Sequence, residues 1–407
     1  MFTHARIGVT LLLVFAPLAA AAEKEAKVKV SEEVQTLAKS NNEFAFDLYS
    51  KLAKRDGNLF LSPTSISTAL AMTSAGAEGV TAKEMATTLN FTQPEEEVHS
   101  AFASLMAMLN APEKDAYELR MANRLWGQTG YGFLPKYLAT TKKQYGAELA
   151  QLDFVNQPDK SRKEVNTWVE EQTNDKITDL LPQGSITDMT RLVLTNAIYF
   201  KGKLEHEFDK KETKDSPFTT AAGKKVESPL MFQSEKFKYS ETEDVQLLEM
   251  PYKGDDLSML VVLPKKVEGL SAVEKNLNAG NVEKWTAAIR KQEVKTHIPR
   301  FKLTEEFQLN STLAELGMPS AFDPGKANFT GMNGRKDLFI SAAIHKAFVE
   351  VNEEGTEAAA ATGIVVGVTS LPPEPKVFRA DHPFVFMIRD NRTGSILFMG
   401  RVVNPVE

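Results

Sequence analysis

The sequence has 407 residues, 42% of them hydrophobic and 25% charged, which is enough apolar material to bury a large core. It contains no cysteine, so disulfides, thiolate metal sites and cysteine nucleophiles are excluded. The formal charge of −6 argues against a general nucleic-acid partner. Length alone suggests two or three domains, yet no linker or composition break divides residue 31 from the end, which favours one large domain.

Met1 to Arg6 is a short basic stretch, Ile7 to Leu18 an apolar core, and Ala20, Ala21 and Ala22 a small-residue cleavage site before Glu23. The pattern predicts a signal peptide over residues 1–22 and a secreted, extracellular product over 23–407. Cleavage removes Arg6 and no acidic residue, so the product is slightly more negative than the precursor. The apolar run is shorter than the ~20 residues of a membrane span, and no later stretch qualifies; no membrane partner is expected.

Ser31 to Ala53 carries Val34, Leu37, Phe44, Ala45, Leu48 and Leu52 at helical spacing, with Ser31 as cap and Glu32 and Glu33 in the first turn. Residues 58–61 read as a short strand running into a helix that starts near Pro63. Further helices are expected over Thr81–Leu89, Glu95–Leu109, Leu134–Tyr145 and Ser161–Asn174. The second of these is acidic at its start and has no basic stripe, so nothing supports a heparin site there. Leu119–Trp126 alternates like a strand. Leu192 to Lys203 is nearly continuously apolar, as a strand buried on both faces should be.

From Phe218 strands dominate: Val245–Pro251, then Leu257–Pro264 across the turn Gly254-Asp255-Asp256, one beginning within His297–Phe301, and Ile344–Val351. Helices over Leu270–Leu277, Asn281–Ile289 and Ser311–Leu316 interrupt them. A hairpin of Phe384–Arg389 and Ser395–Arg401 closes the chain. Helices early and strands late describe an α+β fold in one domain.

Enzyme signatures are missing: there is no Gly-x-Ser-x-Gly elbow, His-Glu-x-x-His, phosphate loop or Gly-x-Gly-x-x-Gly, and six histidines are too scattered for a metal cluster. No catalytic residue, metal or cofactor is expected. His345, on an apolar alternating run, reads as a hydrogen-bonded core histidine.

Glu353 to Ser370 is the most distinctive stretch. Gly355 permits a hinge, Ala358 to Ala361 carry almost no bulk, and no proline occurs before Pro372. As a strand, one face would hold Thr356, Ala358, Ala360, Thr362, Ile364 and Val366, all uncharged; the other would hold Glu357, Ala359, Ala361, Gly363, Val365 and Gly367. From its residues alone, the stretch is either a linker before the final hairpin or a loop able to become a strand without burying a charge.

Gly355 to Thr362 resembles the proximal hinge of the reactive-centre loop of inhibitory serpins. Residues 58–72 are similar to the serpin strand and helix beneath the main sheet, 161–174 to the helix that crosses it, 192–203 to a central strand, and Asp381-His382-Pro383-Phe384 to the segment before the last hairpin. The resemblance covers residues 31 to 405. It implies a single-domain serpin fold with three β-sheets, about eight to nine helices and an exposed reactive-centre loop over about 353–375.

The resemblance further implies a suicide-substrate inhibitor whose partner is a target serine protease, held as a covalent acyl complex while the cut loop inserts into the main sheet. A strand of ~14 residues at ~3.3 Å each would carry the protease more than ~40 Å. The hinge would be Glu353, Gly355, Thr356, Glu357, Ala358, Ala359, Ala360, Ala361 and Thr362. Counting seventeen residues from Glu353 puts the scissile bond at Thr369-Ser370, with Val368 or Ser370 taking the role if the register shifts by one. All three are small and uncharged, which suits an elastase-like protease. Ser62, Ser65, Asn196 and His345 are implied to meet in a polar shutter where the main sheet opens, with a mechanical role.

Glu353 either pairs with Arg300, the basic residue expected near the hinge, or stands as an exposed charge. Leu204 occupies the position after Lys-Gly-Lys where most serpins carry tryptophan, removing a large aromatic from the region where the loop first enters. The expected state is a monomer liable to loop–sheet polymers. The alternative is a non-inhibitory carrier or binding protein on the same fold, disfavoured because neither charge nor proline stands at Thr356 or Ala358. Sequons at Asn90, Asn310, Asn328 and Asn391 matter only in a glycosylating host.

Overall fold

Ser31 Oγ accepts a hydrogen bond from the Val34 amide at 3.4 Å and caps helix α1 (Glu32–Leu52), which buries Val34, Leu37, Phe44, Leu48 and Leu52. The computed structural model describes residues 30–110, 117–353 and 374–406. The expected signal peptide, the hinge residues Gly355 to Thr362, and Val368, Thr369 and Ser370 lie outside the described residues.

After α1 come β1 (Leu59–Leu61), α2 (Pro63–Ser74), α3 (Gly79–Thr88), α4 (Glu95–Leu109), β2 (Tyr117–Gln128), α5 (Pro135–Tyr145), β3 (Ala150–Leu152), α6 (Pro158–Gln172) and β4 (Leu192–Gly202). The second half contains β5 (Lys214–Thr219), β6 (Lys225–Glu241), β7 (Val245–Pro251), β8 (Leu257–Pro264), α7 (Leu270–Lys275), α8 (Ala279–Ala287), β9 (Arg290–Pro299), β10 (Phe301–Gln308), α9 (Asn310–Leu316), α10 (Thr330–Asn333), β11 (Ala342–Val351), β12 (Lys376–Arg379), β13 (Phe384–Asp390) and β14 (Ile396–Val402). Among the described residues the ten α-helices exceed the expected eight to nine by the single turn of α10, too short to carry an apolar period. The strand expected to begin within His297–Phe301 is instead a junction: β9 ends at Pro299, and β10 starts at Phe301.

Hydrogen bonds join five strands in the order β10-β11-β4-β2-β3. The other nine run β1-β14-β13-β8-β7-β6-β9-β12, with β5 on β6. The second and third sheets that the resemblance implies run on as one because β6 serves both. Its first part, Lys225–Leu230, pairs with β5, its last part, Lys238–Glu241, with β7, and β9 follows it from Leu230 to Tyr239.

Helix α2 packs between the two sheets, against β2 and β4 on one side and β14 on the other, and buries every residue from Pro63 to Thr73. Phe60 stacks on Phe398 with ring centroids 5.3 Å apart, and Phe398 meets Phe200 of β4 at 5.4 Å, tying the sheets through one aromatic column. Gly400 is required beside it: a Cβ there would lie 2.3 Å from the Leu59 carbonyl oxygen.

Candidate functional site at the opening of the five-stranded sheet

At the centre of the five-stranded sheet, β11 lies parallel to β4 in a ladder that runs from Ala342↔Val193 to Val349↔Phe200. Each of these strands pairs antiparallel with its outer neighbour, β11 with β10 and β4 with β2. The central ladder stops at Val349 and Phe200, although β11 continues to Val351 and β4 to Gly202. Among the described residues, β4 and β11 are therefore not paired with each other at the end where the chain leaves β11. The next described strand is β12, which sits parallel to β9 in the other sheet.

Midway along the seam, His345 faces Asn196 in register, and the structure brings together all four residues expected in the polar cluster. The His345 ring is fully buried. Its Nε2 accepts the Ser62 backbone N–H at 3.1 Å, so the proton sits on Nδ1, which donates to Asn196 Oδ1. Asn196 Nδ2 donates to Ser65 Oγ at 2.6 Å and to Asn123 Oδ1. Ser65 Oγ donates to Asn123 Oδ1 at 3.1 Å, while Ser62 Oγ donates to the Leu397 carbonyl at 2.6 Å and accepts from the Ser65 amide at 3.3 Å. Burial pushes the His345 pKa down to about 3, and the ring is neutral.

Asn123, on β2 directly opposite Asn196, belongs to this network although its sequence context offers only an asparagine within a strand. The cluster thus spans α2, β2, β4, β11 and β14.

At the end of the seam, Glu353 is 3% exposed and accepts from Arg300 Nη2 and from Thr213 Oγ1, each at 2.6 Å. Burial alone would raise its pKa, but these hydrogen bonds outweigh burial and hold the carboxyl below its usual range. Of the two alternatives for Glu353, the structure has the ion pair. Thr213, 140 residues away in sequence, is a further partner with no local signal. Among the described residues no cluster of His, Asp or Glu could hold a metal ion, and no helix is long and apolar enough to cross a membrane.

Residues 39–405 match the family described as "Serpin (serine protease inhibitor)". The chain belongs to the serpin family. It is 46% identical over 382 residues to the leukocyte elastase inhibitor of Equus caballus and 45% identical to that of Homo sapiens, in each case covering 91% of this chain and all of the relative. Uncleaved ovalbumin superposes with a TM-score of 0.83 at 31% identity, covering 91% of this chain and 100% of that one. For maspin the TM-score is 0.85 at 29% identity, covering 92% and 100%. Membership places the protein among inhibitors, not enzymes.

The serpin's departure at Leu204 has a visible result. Leu204 is buried, bridges antiparallel to Tyr252, and lines a cavity of about 290 Å³ together with Gly202, Tyr252, Glu350 and Asn352. The cavity lies at the unpaired end of the β4–β11 seam, where a larger ring at position 204 would take up space.

Proposed function

We propose that this serpin is a secreted, irreversible inhibitor of elastase-like serine proteases that inserts its cut reactive-centre loop between β4 and β11. The observation that carries this reading is the parallel seam. A segment that turns back at the end of β11 runs antiparallel to β11, and therefore to β4 as well, so insertion replaces one parallel ladder with two antiparallel ones. Strand addition of this kind is a known behaviour of serpins. Glu353, pinned by Arg300 and Thr213, supplies the turning point, and the uncharged face Thr356, Ala358, Ala360 and Thr362 can enter the sheet without burying a charge.

The trapping step balances as an acyl transfer. The protease serine oxygen attacks the Thr369 carbonyl, the peptide C–N bond breaks, the Ser370 amine leaves with the serine's proton, and an ester to Thr369 remains. Small residues at Val368, Thr369 and Ser370 suit a shallow apolar specificity pocket, in keeping with relatives that are elastase inhibitors. The Ser62–Ser65–Asn123–Asn196–His345 network would act mechanically, as a latch across the seam. Export is supported by the residue pattern over 1–22. The protein would act as a monomer, and an open seam would accept another copy's loop on warming.

The deciding test mixes the purified protein with neutrophil elastase, followed by a denaturing gel and mass analysis of the released C-terminal peptide. A complex that survives denaturation, with a peptide starting at Ser370, is expected. Cleavage without a complex would overturn covalent trapping, and a start at Thr369 or Leu371 would move the scissile residue to Val368 or Ser370. Thr356→Arg, which forces a charge into the sheet, should turn inhibitor into substrate. Recovery of secreted product beginning at Glu23 tests export; retained product beginning at Met1 would overturn it.

A further inference from the structure

The cavity at the end of the β4–β11 seam reaches both faces of the sheet. Tyr199 and Phe200 are consecutive on β4 and point to opposite faces, yet both line it. On one face Tyr199 packs on Phe348 with ring centroids 5.6 Å apart, and on the other Phe200 meets Tyr252 edge to face at 5.2 Å. Four rings thus wall a slot of about 290 Å³. A cavity of about 150 Å³ is enough to hold benzene, so a two-ring molecule has room here. A large ring at position 204 would take up part of that space, so the slot depends on Leu204.

Tyr199 is 4% exposed and Tyr252 3%, and among the described residues neither hydroxyl makes a hydrogen bond. Burial raises both phenol pKa values, so each hydroxyl keeps its proton. A buried tyrosine hydroxyl ordinarily finds a partner, and two that line one cavity without any point to a ligand. Tyr199 is the better acceptor, because the Glu118 and Glu350 carboxylates add to burial in raising its pKa and make its surroundings negative. Those carboxylates are themselves bonded, to Asn174 Nδ2 and Asn352 Nδ2 at 2.8 Å each. Lys176 and Lys201 line the same cavity and offset them, so the slot selects neither an anion nor a cation.

We propose that this slot binds a neutral, planar two-ring heteroaromatic of the indole class, its ring packed among the four aromatic side chains and its N–H donated to the Tyr199 hydroxyl oxygen. The site is read from the cavity alone and holds whether or not the protein traps proteases.

The test titrates indole into the intact, uncleaved protein by calorimetry, with indene as the analogue of the same shape that lacks the N–H. Saturable indole binding is expected, with indene about fivefold weaker, the worth of one hydrogen bond. Tyr199→Phe keeps the ring and removes the acceptor. It should weaken indole by the same factor and leave indene unchanged, a contrast that mere loss of packing would not give. Indole-3-acetate and tryptamine should bind no tighter than indole, and crystals soaked in indole should place it between Tyr199 and Tyr252. No saturable indole signal, indene binding as tightly as indole, a charged analogue binding more tightly, undiminished indole binding in Tyr199→Phe, or indole seated elsewhere would each overturn the proposal. Should Tyr199→Phe fail to fold, the indole–indene contrast and the soaked crystal decide it.

Discussion

The buried neutral His345 makes the centre of the seam sensitive to acid, and the size of the effect follows from its surroundings. Its ordinary pKa of 6.5 is pushed down to about 3 in the fold because the ring is fully buried, which penalises the charged form. The unfolded chain therefore binds a proton between pH 6.5 and 3 that the folded chain refuses, so stability falls as pH falls through that window. The cost mounts with each pH unit and reaches roughly 3 kcal/mol by about pH 4.5. His345→Gln keeps a donor for Asn196 and an acceptor for Ser62 but does not titrate. It loses ring contact with Phe307, whose centroid is 6.2 Å away, and should be less stable than wild type by about 1–3 kcal/mol near neutral pH. By about pH 4.5 that disadvantage should vanish or reverse, because other titrating groups are shared and cancel in the difference. Urea-unfolding midpoints of both proteins at the two pH values measure it; a gap that stays constant with pH would refute the argument.

Three other perturbations test the rest of the site. Arg300→Ala should destabilise more than Glu353→Ala, by about 1–2 kcal/mol in urea melts, because the first leaves a buried carboxylate with only Thr213 while the second leaves a half-exposed cation in water; equal losses would contradict the burial asymmetry. Leu204→Trp should fill part of the 290 Å³ cavity and raise the unfolding midpoint by up to about 1 kcal/mol in stability. A drop of about 1–3 kcal/mol would instead mean overpacking and a cavity out of the side chain's reach. Asn196→Ala removes the bond across the seam and should accelerate conversion to polymers on warming, scored on native gels; a wild-type rate would remove the cluster from any latching role.

How far the sequence could be read depended on the length of each signal. Helix α4 occupies Glu95–Leu109, the range its apolar spacing predicts, and β4 begins at Leu192 as its unbroken apolar run requires. Helix starts slipped where the first turn is polar: α6 begins at Pro158, three residues before the expected Ser161, with proline at its first turn. Strand β5 reads Lys-Asp-Ser-Pro-Phe-Thr and has no strand pattern of its own; pairing with β6 supplies it. Ser62, Ser65, Asn196 and His345 stand out only as polar residues within apolar runs, and their meeting was legible through the family resemblance, not through spacing. Asn123 and Thr213 are products of tertiary approach, and no local pattern announces them.

The seam combines two opposed properties. Its end is loose: the ladder stops two residues short on each strand, a cavity lies beyond, and the leucine there is smaller than the usual family residue. Its middle is latched, because the His345–Asn196 contact is one link of a network anchored in α2, β2 and β14, so β4 and β11 cannot part at that point without breaking several buried hydrogen bonds together. A strand forming from the Glu353 end would therefore advance easily at first and then meet a barrier at the cluster. Each bond lost there is worth about 1 kcal/mol, and groups left unpaired cost about 1–3 kcal/mol each. That barrier is local, whereas the reward for passing it, an antiparallel partner for each of β4 and β11, accumulates along the whole strand. On the proposed mechanism, a sheet built this way would stay closed at rest and take in its own loop as a new strand once the chain has been cut.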